Sequence, residues 1–422
     1  QGVEPYFEGA TINDTSTVAE YRHDIALIAD DSVVQAFDRT SGADRAAFLR
    51  QFWTDRASRE LRTPAERIRE HYRRIQYAKR NFGLVSLARH YDIIERYRSG
   101  STDFDDRGII YIRHGEPDAR ATLTGRDLEA NETWRFNRAD GNLVFHFVAR
   151  EDVQDYKLVE SVTDLLGFAE SVRMRSDISS TTQRAAWDDL LLSREHIAPI
   201  YGRLQTAGLS SVTLQSQERR LGQRSIEIGT TTDSYELDYQ EELHPQMNVI
   251  ALGGGGDSNR IFVTYAIPGA ELHPVPTEQG NVYPIRVRVA FQNQRGHTVA
   301  TMDTTSYFLL QGAIPPGEHL VGKVMLPVPA GYFGYTMALQ EGENLGVVFP
   351  TDSIRVQRLN GTEFAVSDLA LGWRNANLRW VSTTGDTVFF NPTNAYRDGS
   401  EMELYYEVYG LERGEKYRTE LV

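Results

Sequence analysis

The chain of 422 residues contains no cysteine. That absence excludes disulfides, thiolate metal sites, cysteine nucleophiles and a lipid-modified N-terminal cysteine. It also has no apolar run near the ~20 residues that a membrane-spanning helix requires, so no membrane span is expected. A surplus of positive charge is missing too. Acidic residues number 59 against 45 basic ones, a formal charge of −14, and such a field repels nucleic acid and anionic lipid. The basic residues Arg67, Arg69, Arg73, Arg74, Lys79 and Arg80 are interleaved with acids along a helical segment and read as a solvated face. No Gly-x-Ser-x-Gly elbow, His-Glu-x-x-His helix or kinase signature occurs. Gly253-Gly254-Gly255-Gly256 lacks the features of a dinucleotide or phosphate loop and reads as a hairpin connection. Nothing in the residues calls for a cofactor.

What is present fits a globular protein: 40% apolar and 25% charged residues, in a chain too long for a single compact core. The sequence starts at Gln1 instead of methionine, which is expected of a processed or partial chain.

The first hundred residues carry helical spacing. Tyr21, Ile25, Ile28 and Val33 keep it across 18–37, and Phe48, Leu49, Phe52 and Trp53 form two i,i+4 pairs. Thr63-Pro64-Ala65-Glu66 supplies an N-cap, a proline at the first helical position and a reciprocal acid. From there Ile68, Tyr72, Ile75 and Phe82 recur on one side, with Gly83 placed to end the helix in a left-handed conformation. A fourth helix is expected over 84–97, through Leu87, Tyr91 and Ile94. Alternation then predicts strands at 109–112, 133–136, 143–147 and 156–159.

Residues 181–221 return to helical spacing, with Trp187, Leu190, Leu191, Ile197, Ile200 and Leu204 as the buried set. From 248 onward seven short alternating strands separated by Gly/Pro turns predict an immunoglobulin-like sandwich. The last sixty residues supply about four strands, too few to close a sandwich, so a complement must come from the first sandwich, another chain or further sequence. The expected fold is an α+β N-terminal domain followed by an all-β immunoglobulin-like region. Its segments are 1–180, a helical connector at 181–245, the sandwich at 246–360 and a partial sandwich or strand-donating tail at 361–422.

Several stretches together resemble one bacterial family. Gln51-Phe52-Trp53, His71-Tyr72-Arg73-Arg74-Ile75, Asp106-Arg107-Gly108, Tyr111-Ile112-Arg113-His114-Gly115-Glu116-Pro117-Asp118 and Glu132-Thr133-Trp134-Arg135-Phe136 follow one another over roughly the first 180 residues. In order and spacing this resembles the GWxTD domain family, whose members often carry tetratricopeptide repeats or sandwich domains. The run from Ser367-Asp368-Leu369 through Asn391-Pro392-Thr393 to Tyr405-Tyr406-Glu407-Val408-Tyr409 is similar to the β-rich segment found beside that domain. The eponymous Gly-Trp is missing, since Thr102-Asp103-Phe104 stands there. The resemblance implies an exported bacterial protein, periplasmic, cell-surface or extracellular, and assigns no catalytic residue.

Three groups of side chains are candidate sites. His71, Arg113, His114, Glu116 and Asp118 would suit acid/base work if they lined a cleft, against the alternative that they stabilise a tight Gly/Pro turn. Asp103, Asp105 and Asp106 could hold a cation, although an EF-hand's glycine and terminal glutamate are absent. The lone Glu20-x-x-His23 reads as a surface pair. Tyr405 and Tyr409 share one strand face opposite Leu404, Tyr406 and Val408, and with Trp373 they would form a binding surface or a domain contact. The expected function is structural or adhesive: binding a protein partner, itself or another envelope or extracellular protein, through β edges. A hydrolase or ion-dependent enzyme at Arg113–Asp118 and a carbohydrate-binding surface are the alternatives.

Overall fold

The computed structural model describes residues 3–85, 89–91, 93–125, 128–138, 141–150, 154–166, 181–208, 211–254, 256–359, 363–374, 377–396, 398–412, 414 and 416–420. Two compact units emerge in place of the four expected segments. One comprises Gln1–Gln51 with Ala65–Tyr235, the other Phe52–Pro64 with Glu236–Val422.

The first unit opens with helices α1 (Glu4–Gly9), α2 (Thr15–Ala26), α3 (Asp31–Phe37), the first part of α4 (Gly42–Arg59) and α5 (Pro64–Asn81). The stretch 18–37, expected as one helix, is two, because Asp30 takes extended dihedrals at the start of α3. Helix α5 begins at Pro64 as its capping signal predicts. Gly83 does not end it with a left-handed residue, since no positive φ occurs there. Instead the chain turns back, Leu84 N donating to the Asp103 carbonyl and Asp105 N to that of Phe82.

No helix forms among the described residues of 84–100. The spacing there misleads because charge, not Ile93 or Val85, goes inside: Ile93 and Val85 are exposed while Glu95 is buried. Glu95 pairs with Arg150 at 2.8 Å, and the buried Arg89 bridges Asp106 and Asp155 at 2.9 and 2.7 Å. Leu87 lies outside the described residues.

The segment expected as a strand at 109–112 is instead helix α6 (Asp106–His114). Asp105 caps it, its carboxylate accepting from Gly108 N, and Gly115 closes it at φ 82. Every α6 residue except Arg107 is buried, those on its charged side included, and the unbroken run Ile-Ile-Tyr-Ile mimics a buried strand.

Strands β1 (Ala119–Thr122), β2 (Ala130–Phe136), β3 (Leu143–Ala149) and β4 (Lys157–Val159) form an antiparallel meander in that order. Strand β3 is buried throughout, because both its faces are covered. Val144 and Val148 share a core with Trp187, Leu190, Leu191, Ile197, Ile200, Tyr201 and Leu204 from helices α7 (Thr181–Leu192) and α8 (Pro199–Ala207). On the opposite face Phe145 and Phe147 join Trp134 and Phe136 in an edge-to-face aromatic stack. The helices expected as a connector are thus one layer of this unit's core. Helix α9 (Val212–Thr231) packs on the same sheet through glycines, since a Cβ on Gly222 would lie 2.0 Å from the Glu160 carbonyl.

The second unit is β-rich. Strands β5 (Glu241–Glu242), β8 (Val275–Thr277), β9 (Gly280–Gln292), β10 (Thr298–Leu310), β12 (Gly331–Glu341), β13 (Leu345–Val348) and β14 (Asp352–Val356) build a seven-stranded sheet whose main order is β10-β9-β12-β13-β5. Strands β6 (Gln246–Leu252), β7 (Ser258–Pro268) and β11 (His319–Pro329) make a second, in the order β11-β7-β6. Alternate residues of both sheets, among them Ile261, Val263, Leu320, Val324, Ile285, Val287, Met337 and Leu339, enter one core. Strands β6 and β7, which flank the Gly-rich run, pair antiparallel; Gly255 of that run lies outside the described residues.

The tail forms short pairs: β15 (Ala365–Val366) with β20 (Val408–Tyr409), β16 (Ala370–Trp373) with β19 (Met402–Tyr405), and β17 (Arg379–Val381) with β18 (Thr387–Phe389). Of the four strands that alternation predicts in the tail, the last, over 417–422, does not appear among its described residues. The complement that the tail needs comes from its own unit. Ala370, Leu378, Val388 and Phe390 pack on Ile250, Leu252 and Phe262 of β6 and β7. At the β6 edge Asp368 N donates to the Ala251 carbonyl, and its carboxylate accepts from Ala251 N at 2.8 Å.

Candidate functional site

The charged motif turns out to be a structural lock at the C-terminal end of α6. Helix termini leave carbonyls without intrahelical partners, and Arg74, buried on α5, supplies donors for them: its Nη1 reaches the carbonyls of Arg113 at 2.9 Å and Ser234 at 2.7 Å. Its Nε donates to Glu70 at 2.7 Å. The guanidinium fills the space above Gly115, where a Cβ would come within 2.9 Å of it.

His114 is buried and held on both ring nitrogens. The Gly229 carbonyl, 2.9 Å from Nε2, can only accept, so Nε2 carries the proton. Nδ1 then accepts from the Ser234 hydroxyl at 3.1 Å, which itself receives a bond from Arg138. Burial, with Arg138 beside it, pushes the imidazole pKa down to about 3. His71 is likewise buried, its Nε2 bonded to the Asp24 carbonyl at 3.0 Å, and burial with Arg67 nearby lowers it to about 3. Arg113 is buried and donates to the carbonyls of Ile28 and Thr232, both at 3.3 Å. Glu116 lies on the surface in an i,i+4 pair with Arg120, and exposed Asp118 accepts from Asn137 N at 2.7 Å. The five candidate acid/base residues are therefore each claimed by a different partner, and the two imidazoles are shut away from solvent. The arrangement fits the alternative, side chains that stabilise the turn, and not a reactive cleft.

The aspartates part company as well. Asp103 is exposed and meets His23 at 2.7 Å. Asp105 caps α6 and accepts from Arg107 at 2.6 Å, and burial, outweighing Arg107, raises its pKa to about 7. Asp106 accepts from Arg89 and from Leu158 N, both at 2.9 Å, fastening α6 to β4. With every oxygen facing a donor, Asp105 and Asp106 offer a cation nothing, and no group of three or more His, Asp or Glu arranged to hold a metal occurs among the described residues.

Tyr405 and Tyr409 do not present an outward face. Both hydroxyls donate to Glu407 at 2.9 Å, and the same carboxylate accepts from Gly253 N at 2.5 Å. Burial, reinforced by Glu407, pushes the Tyr405 phenol up to about 12. The pair is a clasp holding the tail to the end of β6. Trp373 is separate: its ring lies 5.2 Å from that of Tyr396.

The feature the sequence does not announce is a cleft along two strand edges. Among the described residues β10 pairs only with β9 and β11 only with β7. These two edges, 13 and 11 residues long, belong to different sheets. Between them opens a cleft of about 740 Å³ lined by Ser306, Phe308, Ile314, Leu320, Val321, Lys323, Leu378 and Arg379, among others. Lys323 and Arg379 have no ion-pair partner among the described residues.

No family model matches the chain, and no curated protein matches it. A solved structure of a glycosyl hydrolase family 2 member from Bacteroides cellulosilyticus is similar over 30% of this chain, at 12% identity and a TM-score of 0.19. The chain spans 16% of that protein's length. Likeness at that level carries nothing about activity. No helix among the described residues is long and apolar enough to cross a membrane.

Proposed function

We propose that this chain is a binding protein that captures an extended segment of a partner protein in the cleft between β10 and β11. One observation carries the reading: two long strand edges, unpaired among the described residues, face a single cleft with apolar side chains in it. An edge strand turns alternate N–H and C=O groups away from its neighbour. An incoming strand bonds to those groups, and its alternate side chains enter the pockets beside them. Phe308, Ile314, Leu320 and Leu378 would receive apolar residues, while Lys323 and Arg379, which outnumber Glu318 in the described lining, would favour a carboxylate on the incoming segment. A tail clasped to its own unit moves the binding edge from 361–422 to β10 and β11. The reading keeps the immunoglobulin-like character of the two-sheet region and, through the resemblance to the GWxTD family, an exported bacterial setting.

The test is selection of random displayed peptides on the immobilised full chain. Enriched sequences are expected to alternate apolar residues with at least one carboxylate, and to lose binding to Phe308→Ala and Lys323→Glu. Enrichment untouched by both substitutions would place binding elsewhere, and no enrichment would remove the reading. Concentration-dependent association of the chain alone, abolished by the same substitutions, would identify the partner as a second copy.

A further inference from the structure

A second cleft, of about 610 Å³, lies beside the first and has a different character. Trp373 at the end of β16 and Tyr396 on the loop before β19 set their rings 5.2 Å apart with planes at 42°. Around them stand Gln246, His319, Thr393 and Ser400. Among the described residues no Asp, Glu, Lys or Arg lines this cleft. The side chains of Gln246 and His319 make no hydrogen bond to protein among the described residues.

The loop that carries Tyr396 is built. Asn391, buried, accepts from the Thr393 hydroxyl at 2.7 Å and donates to the Ala395 carbonyl at 2.9 Å. Asn394 adopts the left-handed φ of 51° that asparagine tolerates better than most residues, and it is tied to Asn248 at 3.0 Å. Such a loop holds its aromatic ring in place before a ligand arrives, which lowers the ordering cost of binding.

We propose that this cleft is a subsite for a neutral saccharide. A sugar ring is amphipathic: its C–H face suits an aromatic surface, and its hydroxyls both donate and accept. Trp373 and Tyr396 supply the apolar surface. The Gln246 amide, which donates and accepts, and the His319 ring supply the polar partners that orient the ring. The described lining offers no cation to a uronic or sulfated sugar, whose charge would stand there without a partner. The site shares His319 with the strand-addition cleft, but Phe308 is no part of it.

Native gel electrophoresis of the full chain through gels containing soluble glucan, mannan, xylan or alginate tests the assignment. Retardation is expected in at least one neutral polysaccharide and not in alginate. Tyr396→Ala, on a loop, is expected to weaken that binding about tenfold, the scale of one lost aromatic contact. Trp373→Ala is expected to weaken it at least as much. Phe308→Ala should leave it unchanged. Absence of retardation in every neutral gel, retardation by alginate alone, or full binding by Tyr396→Ala and Trp373→Ala would each overturn the proposal.

Discussion

Replacing His114 by glutamine separates a structural imidazole from a reactive one. The glutamine amide can donate toward the Gly229 carbonyl and its oxygen can accept from Ser234, the two partners His114 now satisfies, but it does not titrate. In the folded chain the imidazole pKa lies at about 3, against an unperturbed value of 6.5. A pKa lowered by folding means that the fold favours the neutral form. The associated stability is fully present above the unfolded pKa and is lost as pH falls through the interval between 6.5 and about 3. Near pH 5 most unfolded chains carry a protonated imidazole while almost no folded ones do. The linkage relation then gives a loss of about 2 kcal/mol from this residue between neutrality and about pH 5. Urea unfolding, followed through the first unit's transition at both pH values, should show the wild type losing about 2 kcal/mol more than His114→Gln. Parallel pH dependences would refute the reasoning, because an imidazole that titrates normally is neither sealed nor locked.

Arg74→Leu removes the donors from the carbonyls of Arg113 and Ser234, and should destabilise the first unit by about 3 kcal/mol or more in urea unfolding. Gly222→Ala gains helix propensity of about 1 kcal/mol but drives a methyl to 2.0 Å from the Glu160 carbonyl. A net loss of about 1–3 kcal/mol is expected in thermal or urea melts. Glu407→Ala unfastens Tyr405, Tyr409 and Gly253 together, so limited proteolysis should cut within 365–409 at markedly lower protease concentration while the two-sheet core stays intact.

Strands of the second unit such as β10, β11 and β12 were legible because one face is wetter than the other, and period-two alternation records that contrast directly, whereas β7, buried on both faces, reads as an apolar run. The buried set Trp187 to Leu204 was legible for the same reason on helices, although not the sheet face it would cover, since Val144 and Val148 lie some forty residues away in sequence. Helix α6 reads as a strand because its four apolar residues Ile109 to Ile112 are consecutive and the helix is short, while its true markers, Asp105 as N-cap and Gly115 as terminator, resemble turn residues. Charges at Arg89 and Glu95 defeated the helical reading of 84–97, because a buried ion pair looks like a polar surface in one dimension. Tyr405 and Tyr409 lie on two short strands instead of one, and both hydroxyls turn to Glu407 between them, which reaches Gly253, more than a hundred residues distant. The cleft between β10 and β11 left no signal at all, as it is made of two strand edges from different sheets and neither strand alone says what stands beside it.

The proposed strand addition is tested most directly by hydrogen exchange on the intact chain, with and without a peptide selected on it. Added peptide should slow amide exchange within 304–310 and 320–324, along the facing edges of β10 and β11, and leave 365–409 and the first unit unchanged. Protection confined to the tail or to the first unit, with both edges exchanging as before, would contradict it.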